Sequence, residues 1–168
     1  MRQTPITALL ASLLAASAAC AAPAPQAAQD LSRYAGKYPF DQVDGVAFTA
    51  DPLVVAAVRR TVADPDILQD VLVKEDVVAT PIQQLSAGRL FVRSFDPAGG
   101  GSTNWAILIS NDSAKAAVCY STDAVYGDGG STWYYEGEVA FTLEGSCPSE
   151  ADEIENSFGT WPIGAIPG

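Results

Sequence analysis

Glu136 and Glu138 lie two residues apart in a stretch where apolar and polar residues alternate, so both carboxylates are expected on one strand face, roughly 7 Å apart. That spacing admits the acid and base of a glycosidase. The plainer reading is the polar face of a half-exposed sheet, since nothing nearby in the sequence marks either carboxylate as an acid. With Glu144 the same residues make an acidic face suited to a cationic partner. Tyr134, on that face, could serve as a contact anchor or a stacking surface for sugar, or be an ordinary sheet residue. A second candidate is the run Asp96-Pro97-Ala98-Gly99-Gly100-Gly101-Ser102-Thr103-Asn104, long for a hairpin connection and loosened by three glycines. It reads either as a surface connection or as a loop entering a partner's cleft with Asp96 at its tip. Gly99 to Gly101 do not suit phosphate, because neither a helix start nor a Lys follows.

The composition narrows the chemistry further. Among 168 residues there is no His, which removes Ser-His-Asp and Cys-His nucleophiles, imidazole bases and His-ligated metals. Ser with Lys115 as base stays formally open, without any spacing to support it. Asp112, Asp123 and Asp128 could share a weak calcium site, but their spacing fits no EF-hand loop. No cofactor is implied. With 20 Asp+Glu against 9 Lys+Arg the formal charge is -11, which disfavours nucleic acid and favours a basic protein.

Residues 1–21 read as a secretory signal, with Arg2 as the positive start and Ile6 to Ala19 as the apolar stretch. Two endings are open. Ser17-Ala18-Ala19-Cys20 resembles a lipoprotein box, in which Cys20 would carry lipid, although such boxes usually have Leu where Ser17 stands. Alternatively Ala19-Cys20-Ala21 is a cleavage site for ordinary signal peptidase. The expected location is the periplasm or, lipid-anchored, the outer membrane. Cys119 and Cys147 are then a lone pair in an exported chain, which reads as a disulfide.

These residues need elements to hold them. Residues 22–33, rich in Ala, Pro and Gln, read as a linker, and one α+β domain is expected over 34–147. Asp51-Pro52 and Asp64-Pro65 each set an N-cap before a helix-starting proline. Val54, Val58 and Val62 recur every fourth residue, and Ile67, Leu68, Val71 and Leu72 share one helical face. From Thr80 the period changes to two. Ile82–Ser86 and Arg89–Phe95 read as a hairpin, Trp105–Ile109 as a central strand covered on both sides, and Ala116–Tyr120 as the next strand. Trp133 to Glu144 then alternate, with Trp133, Tyr135, Val139, Phe141 and Leu143 on one face and Gly137 as a bulge. The expected architecture is an antiparallel sheet of about five strands with two N-terminal helices packed on one face. Residues 148–168 read as an acidic segment, helical over 149–157, and a tail anchored at most by Trp161.

The segment Gly36-Lys37-Tyr38-Pro39-Phe40-Asp41, the helix started by Asp51-Pro52, the second helix, the Thr80-Pro81-Ile82 strand entry and the Trp105–Ile109 strand together resemble the Ivy family, inhibitors of vertebrate lysozyme, over residues 34–122. That family inhibits through a loop reading Cys-Lys-Pro-His-Asp-Cys, whose disulfide holds a His for the lysozyme active site. The matching stretch is Phe95-Asp96-Pro97-Ala98-Gly99-Gly100, where only Pro97 agrees. The resemblance therefore implies the fold and a lysozyme or other peptidoglycan hydrolase as the basic partner, while the family's means of inhibition is missing. The expected function is an exported, non-catalytic, lysozyme-inhibitor-like binding protein, acting in defence or as an immunity protein. The other two readings are a structural envelope module and, last, a carboxylate-dependent hydrolase.

Overall fold

The computed structural model describes residues 30–122 and 129–158. The expected signal segment, Cys20, Asp123, Asp128 and Trp161 lie outside them. Described structure begins in the stretch expected to be a linker. Asp30 accepts the Ser32 N–H and caps a 3-10 turn, Leu31–Tyr34, whose Leu31 and Tyr34 are fully buried. The Leu31 N–H donates to the Asn111 carbonyl at 2.8 Å, so this turn is fixed to the sheet rather than trailing from it.

A small hairpin follows, β1 (Gln42–Val43) and β2 (Val46–Ala47), with Asp44 and Gly45 both at positive φ in its turn. Helix α1 (Pro52–Thr61) starts where the Asp-Pro pair predicts, the Asp51 carboxylate accepting from the Leu53 N–H at 2.8 Å. Helix α2 (Pro65–Leu72) repeats the device through Asp64. Asp51 is almost wholly buried and also accepts from the Tyr34 hydroxyl and the Arg33 guanidinium. A single carboxylate thus caps a helix and ties the N-terminal turn to it.

The main sheet contains β3 (Val78–Ala79), β4 (Gln83–Leu85), β5 (Arg89–Phe95), β6 (Asn104–Ser110), β7 (Ala116–Ser121), β8 (Gly130–Tyr135) and β9 (Glu138–Glu144). All pairs are antiparallel, in the order β3-β5-β6-β7-β8-β9, with β4 beside the first half of β5. The α+β class holds. Two details differ from the expected sheet of about five strands with helices on one face. Among the described residues this sheet has seven strands, because the two-residue β3 is added and because the stretch from Trp133 to Glu144 is a hairpin rather than one strand. The second difference is that the helix expected over 149–157, α3 (Ala151–Phe158), packs on the other face, so the sheet is covered on both sides.

The strand period explains both layers. On β6, Trp105, Ile107 and Ile109 meet α1, α2 and the N-terminal turn, while Ala106 and Leu108 face the opposite way, toward Ile154 of α3. Leu90 and Val92 on β5 point to the first layer and Phe91 to the second, as the alternation predicts. A strand with a core on both sides must be apolar throughout, which is why Trp105–Ile109 carries no polar residue. The disulfide between Cys119 and Cys147 lies in the second layer, with Cα atoms 5.8 Å apart. Arg89, almost wholly buried, joins β5 to α3 through Glu155 at 3.0 Å.

Candidate functional site

The glycine loop is tightly self-bonded. Its ends are joined by the Asp96 N–H donating to the Thr103 carbonyl at 2.9 Å, and the Gly101 N–H returns to the Asp96 carbonyl at 3.0 Å. Gly101 holds a positive φ of 84°, which an L side chain rarely adopts, although a Cβ there would meet the Phe95 ring only at ordinary contact distance, 3.4 Å. Asp96 sits at the base of the loop rather than at a free tip. Its carboxylate accepts from Lys74 Nζ at 2.9 Å and from the Ala98 N–H at 2.8 Å. The lysine first, then the amide, hold that carboxyl below its ordinary pKa. Pro97, Gly99 and Gly100 form the exposed crown. Asn104, fully buried, sits beneath it. Its amide donates to the Gly101 and Ser102 carbonyls while its oxygen accepts from the Cys147 N–H at 2.9 Å. This residue, which no sequence pattern marks, joins the loop to the disulfide.

The acidic face is rearranged as well. Glu136 and Gly137, both at positive φ, form a two-residue turn that brings Tyr135 opposite Glu138. Gly137 therefore belongs to a hairpin turn and not to a bulge. The irregularity comes later, where Trp133 pairs with Phe141 and Tyr134 with Val139, leaving Ala140 as the extra residue. Glu136 is thus in a turn, and Glu138 begins β9 on the side of Tyr135. Glu144, opposite Gly130, ends β9 on the side of Tyr134. The expected single strand face carrying all three carboxylates is not formed. Tyr134 is half-buried against the helical layer, and burial, reinforced by Asp64, raises its pKa.

The carboxylates that do gather lie along α2. Asp70 accepts from the Tyr120 hydroxyl at 2.7 Å and stands 3.5 Å from Lys74. Burial first, then the Asp70 bond, push the Tyr120 phenol well above its ordinary value, with Asp64 and Asp66 adding to the effect. Asp112 is engaged locally, accepting from the Ser110 hydroxyl at 2.6 Å and the Ala114 N–H at 3.0 Å. Lys115 is exposed, and what it gives Ser110 is its backbone N–H. Among the described residues no group of three His, Cys, Asp or Glu side chains could hold a metal ion. No described helix is long and apolar enough to cross a membrane.

One concave surface was not visible in the sequence. An open groove of about 500 Å³ runs between the residues around the 3-10 turn Phe48–Ala50 and the end of α2. Phe40, Ala47 and Ala50 form one wall, Leu72 and Val73 the other, and Glu75 stands at the rim. Tyr38 and Val73 are 50% and 54% exposed, unusual for large apolar side chains, and Phe40 is exposed beside them. The Pro39 carbonyl accepts from the Thr49 N–H, which holds the Tyr38–Asp41 turn against the buried Phe48. Comparison with protein-family models, curated proteins and solved structures finds no match to this chain.

Proposed function

We infer that this chain is an exported, non-catalytic envelope protein of lysozyme-inhibitor-like kind that binds a basic protein, a peptidoglycan-cleaving enzyme or a toxin of that class. The formal charge of -11 is the observation that carries the reading. A surplus of carboxylates over a small surface raises the encounter rate with a cationic protein and makes it salt-dependent. Export is supported by the leader-like first residues and by the disulfide, a bond that oxidising compartments maintain. The non-catalytic part is supported by the separation of Glu136 and Glu138 into a turn and a strand, which removes the face on which a hydrolase reading rested.

The test is turbidity loss of cell walls treated with lysozymes, with this protein added at stoichiometric amounts. Slowed loss, weakening as salt rises, is the expected result. No slowing with any lysozyme or peptidoglycan hydrolase, and no salt-dependent complex in calorimetry, would defeat the reading. A second reading, a structural envelope module, is favoured by the glycine loop. At the place where the resembled family carries its inhibitory His, this loop is bonded to itself and its carboxylate is already paired with Lys74. Intact mass of the native protein addresses the anchor: acyl groups on Cys20 support a lipoprotein, and a chain beginning at Ala22 opposes it.

A further inference from the structure

We propose that the groove between the Tyr38–Ala50 stretch and the end of α2 is a docking site for one apolar side chain of a partner, flanked on that partner by Lys or Arg. The proposal rests on the basic-partner reading and adds the surface and the form of the ligand. Two independent properties meet at this place. The first is apolar exposure: Phe40, Leu72 and Val73, of which Phe40 and Val73 are exposed, line a concavity large enough for a Phe, Leu or Met side chain, and burying such a side chain is favourable without any directional contact.

The second is charge. Within residues 38–50 and 72–77 the acidic residues are Asp41, Asp44, Glu75 and Asp76, and the only basic one is Lys74. The Lys74 ammonium is directed to Asp96 and Asp70, so the cation is used within the fold. Asp41, Asp44, Glu75 and Asp76 are all exposed. An apolar lining with Glu75 at its rim, and with Asp41 and Asp76 next in sequence to the lining residues Phe40 and Glu75, favours an apolar anchor with cationic neighbours over one with acidic neighbours. The wall is also held in place. The Asp41 carboxylate accepts the Tyr38 N–H at 3.0 Å, and Thr49 bonds to Pro39, so the groove needs no rearrangement to receive a side chain.

Three synthetic peptides titrated into the isotope-labelled protein test this by amide chemical shift: Lys-Lys-Phe-Lys-Lys, Lys-Lys-Ala-Lys-Lys and Glu-Glu-Phe-Glu-Glu, each with blocked ends. The Phe-centred basic peptide is expected to shift amides of residues 38–50 and 72–76. The Ala-centred one is expected to bind about tenfold to a hundredfold more weakly, the loss of one buried aromatic side chain. The acidic peptide should shift nothing there. Val73→Ser, at an exposed position, should weaken the first peptide and leave the spectrum otherwise native. If both basic peptides bind equally and the shifts lie along α2 or β9, the groove is refuted while a basic partner stands. If the acidic peptide fills the groove, the cationic partner is refuted for this site. If the first peptide shifts nothing, the proposal falls whatever the turbidity assay shows.

Discussion

Removing the Cys119–Cys147 bond should destabilise the domain by an amount that loop closure alone sets. The bond closes a segment with a sequence separation of 28 residues, which contains all of β8 and β9. In the chain-entropy model a loop of that length confines the unfolded chain by about 3.6 kcal/mol at room temperature. That is a large fraction of the roughly 5–15 kcal/mol by which small domains are stable. Two perturbations separate the bond from its atoms. The Cys119→Ala/Cys147→Ala variant removes both sulfurs from buried sites and adds small cavities. Reduction of the natural protein by dithiothreitol keeps both sulfurs and cuts only the link. In urea, with a slope of about 2 kcal/mol per M for a domain of this size, reduction should lower the midpoint by about 1.8 M. The slope itself should rise, because the unfolded chain is no longer cross-linked and exposes more surface. The variant should lose slightly more than the reduced protein. A midpoint shift of less than about 0.5 M with an unchanged slope would refute the reasoning.

Other parts of the fold give predictions that separate from this one. Asp51→Ala removes a helix cap and the charged acceptor of the buried Tyr34 hydroxyl and the Arg33 guanidinium, leaving them only the longer bonds to the Val46 carbonyl and the Tyr34 oxygen, so a loss of about 3 kcal/mol in urea unfolding is expected. Asp51→Asn, which keeps an acceptor for the cap, should lose less. Tyr34, Tyr120, Tyr134 and Tyr135 all hold their protons more tightly in the folded chain, burial being the first cause in each. Stability from them is complete below the ordinary tyrosine pKa, about 10, and is lost as pH rises through their higher folded values. The melting temperature should therefore fall on the alkaline side above about pH 10, and less so in Tyr120→Phe. Gly130→Ala places a Cβ 2.7 Å from the Leu143 carbonyl oxygen and should open that end of the β8–β9 pair, destabilising by about 1–3 kcal/mol. An unchanged melting temperature would mean that the two strands are looser there than their register implies.

The helices and inner strands are legible because local rules and the tertiary answer agree. Asp51-Pro52 and Asp64-Pro65 start helices wherever the following apolar stripe can be buried, and Trp105–Ile109 has no polar residue to place in water. The hairpin from Trp133 to Glu144 conceals itself for a definite reason. A two-residue turn at Glu136 and Gly137 reverses the parity of the alternation, and the extra residue at Ala140 reverses it again. The two reversals cancel, so Phe141 and Leu143 still share the side of Trp133 and the sequence looks like one unbroken strand. Only Glu138 and Val139, between the reversals, are misplaced by that reading. The groove was invisible for another reason. Its walls come from turns and from the last residues of α2, which carry no periodicity, and single exposed apolar residues mean little until folding brings them together. Leu31 likewise gives no local sign of being core, standing in a stretch whose composition is that of a tether. The partner readings drawn from charge were coarse for the same reason: total charge says how acidic the chain is, and pairing such as that of Asp96 with Lys74 decides which carboxylates remain for others.

Among the described residues β9 is hydrogen-bonded on one side only, and its open side is a row of backbone donors and acceptors. Its two ends are Glu138 and Glu144, with Phe141 midway between them. A second copy added antiparallel about Phe141 would set Glu138 of each chain opposite Glu144 of the other, two residues that the extra residue at Ala140 turns to opposite faces of the sheet. The extra residue at Ala140 also breaks the even spacing such an addition needs. The molecule thereby carries its own brake on sheet-to-sheet stacking. That brake is one of shape, so concentrated salt, which shortens the reach of charge to about 3 Å at 1 M, does not release it.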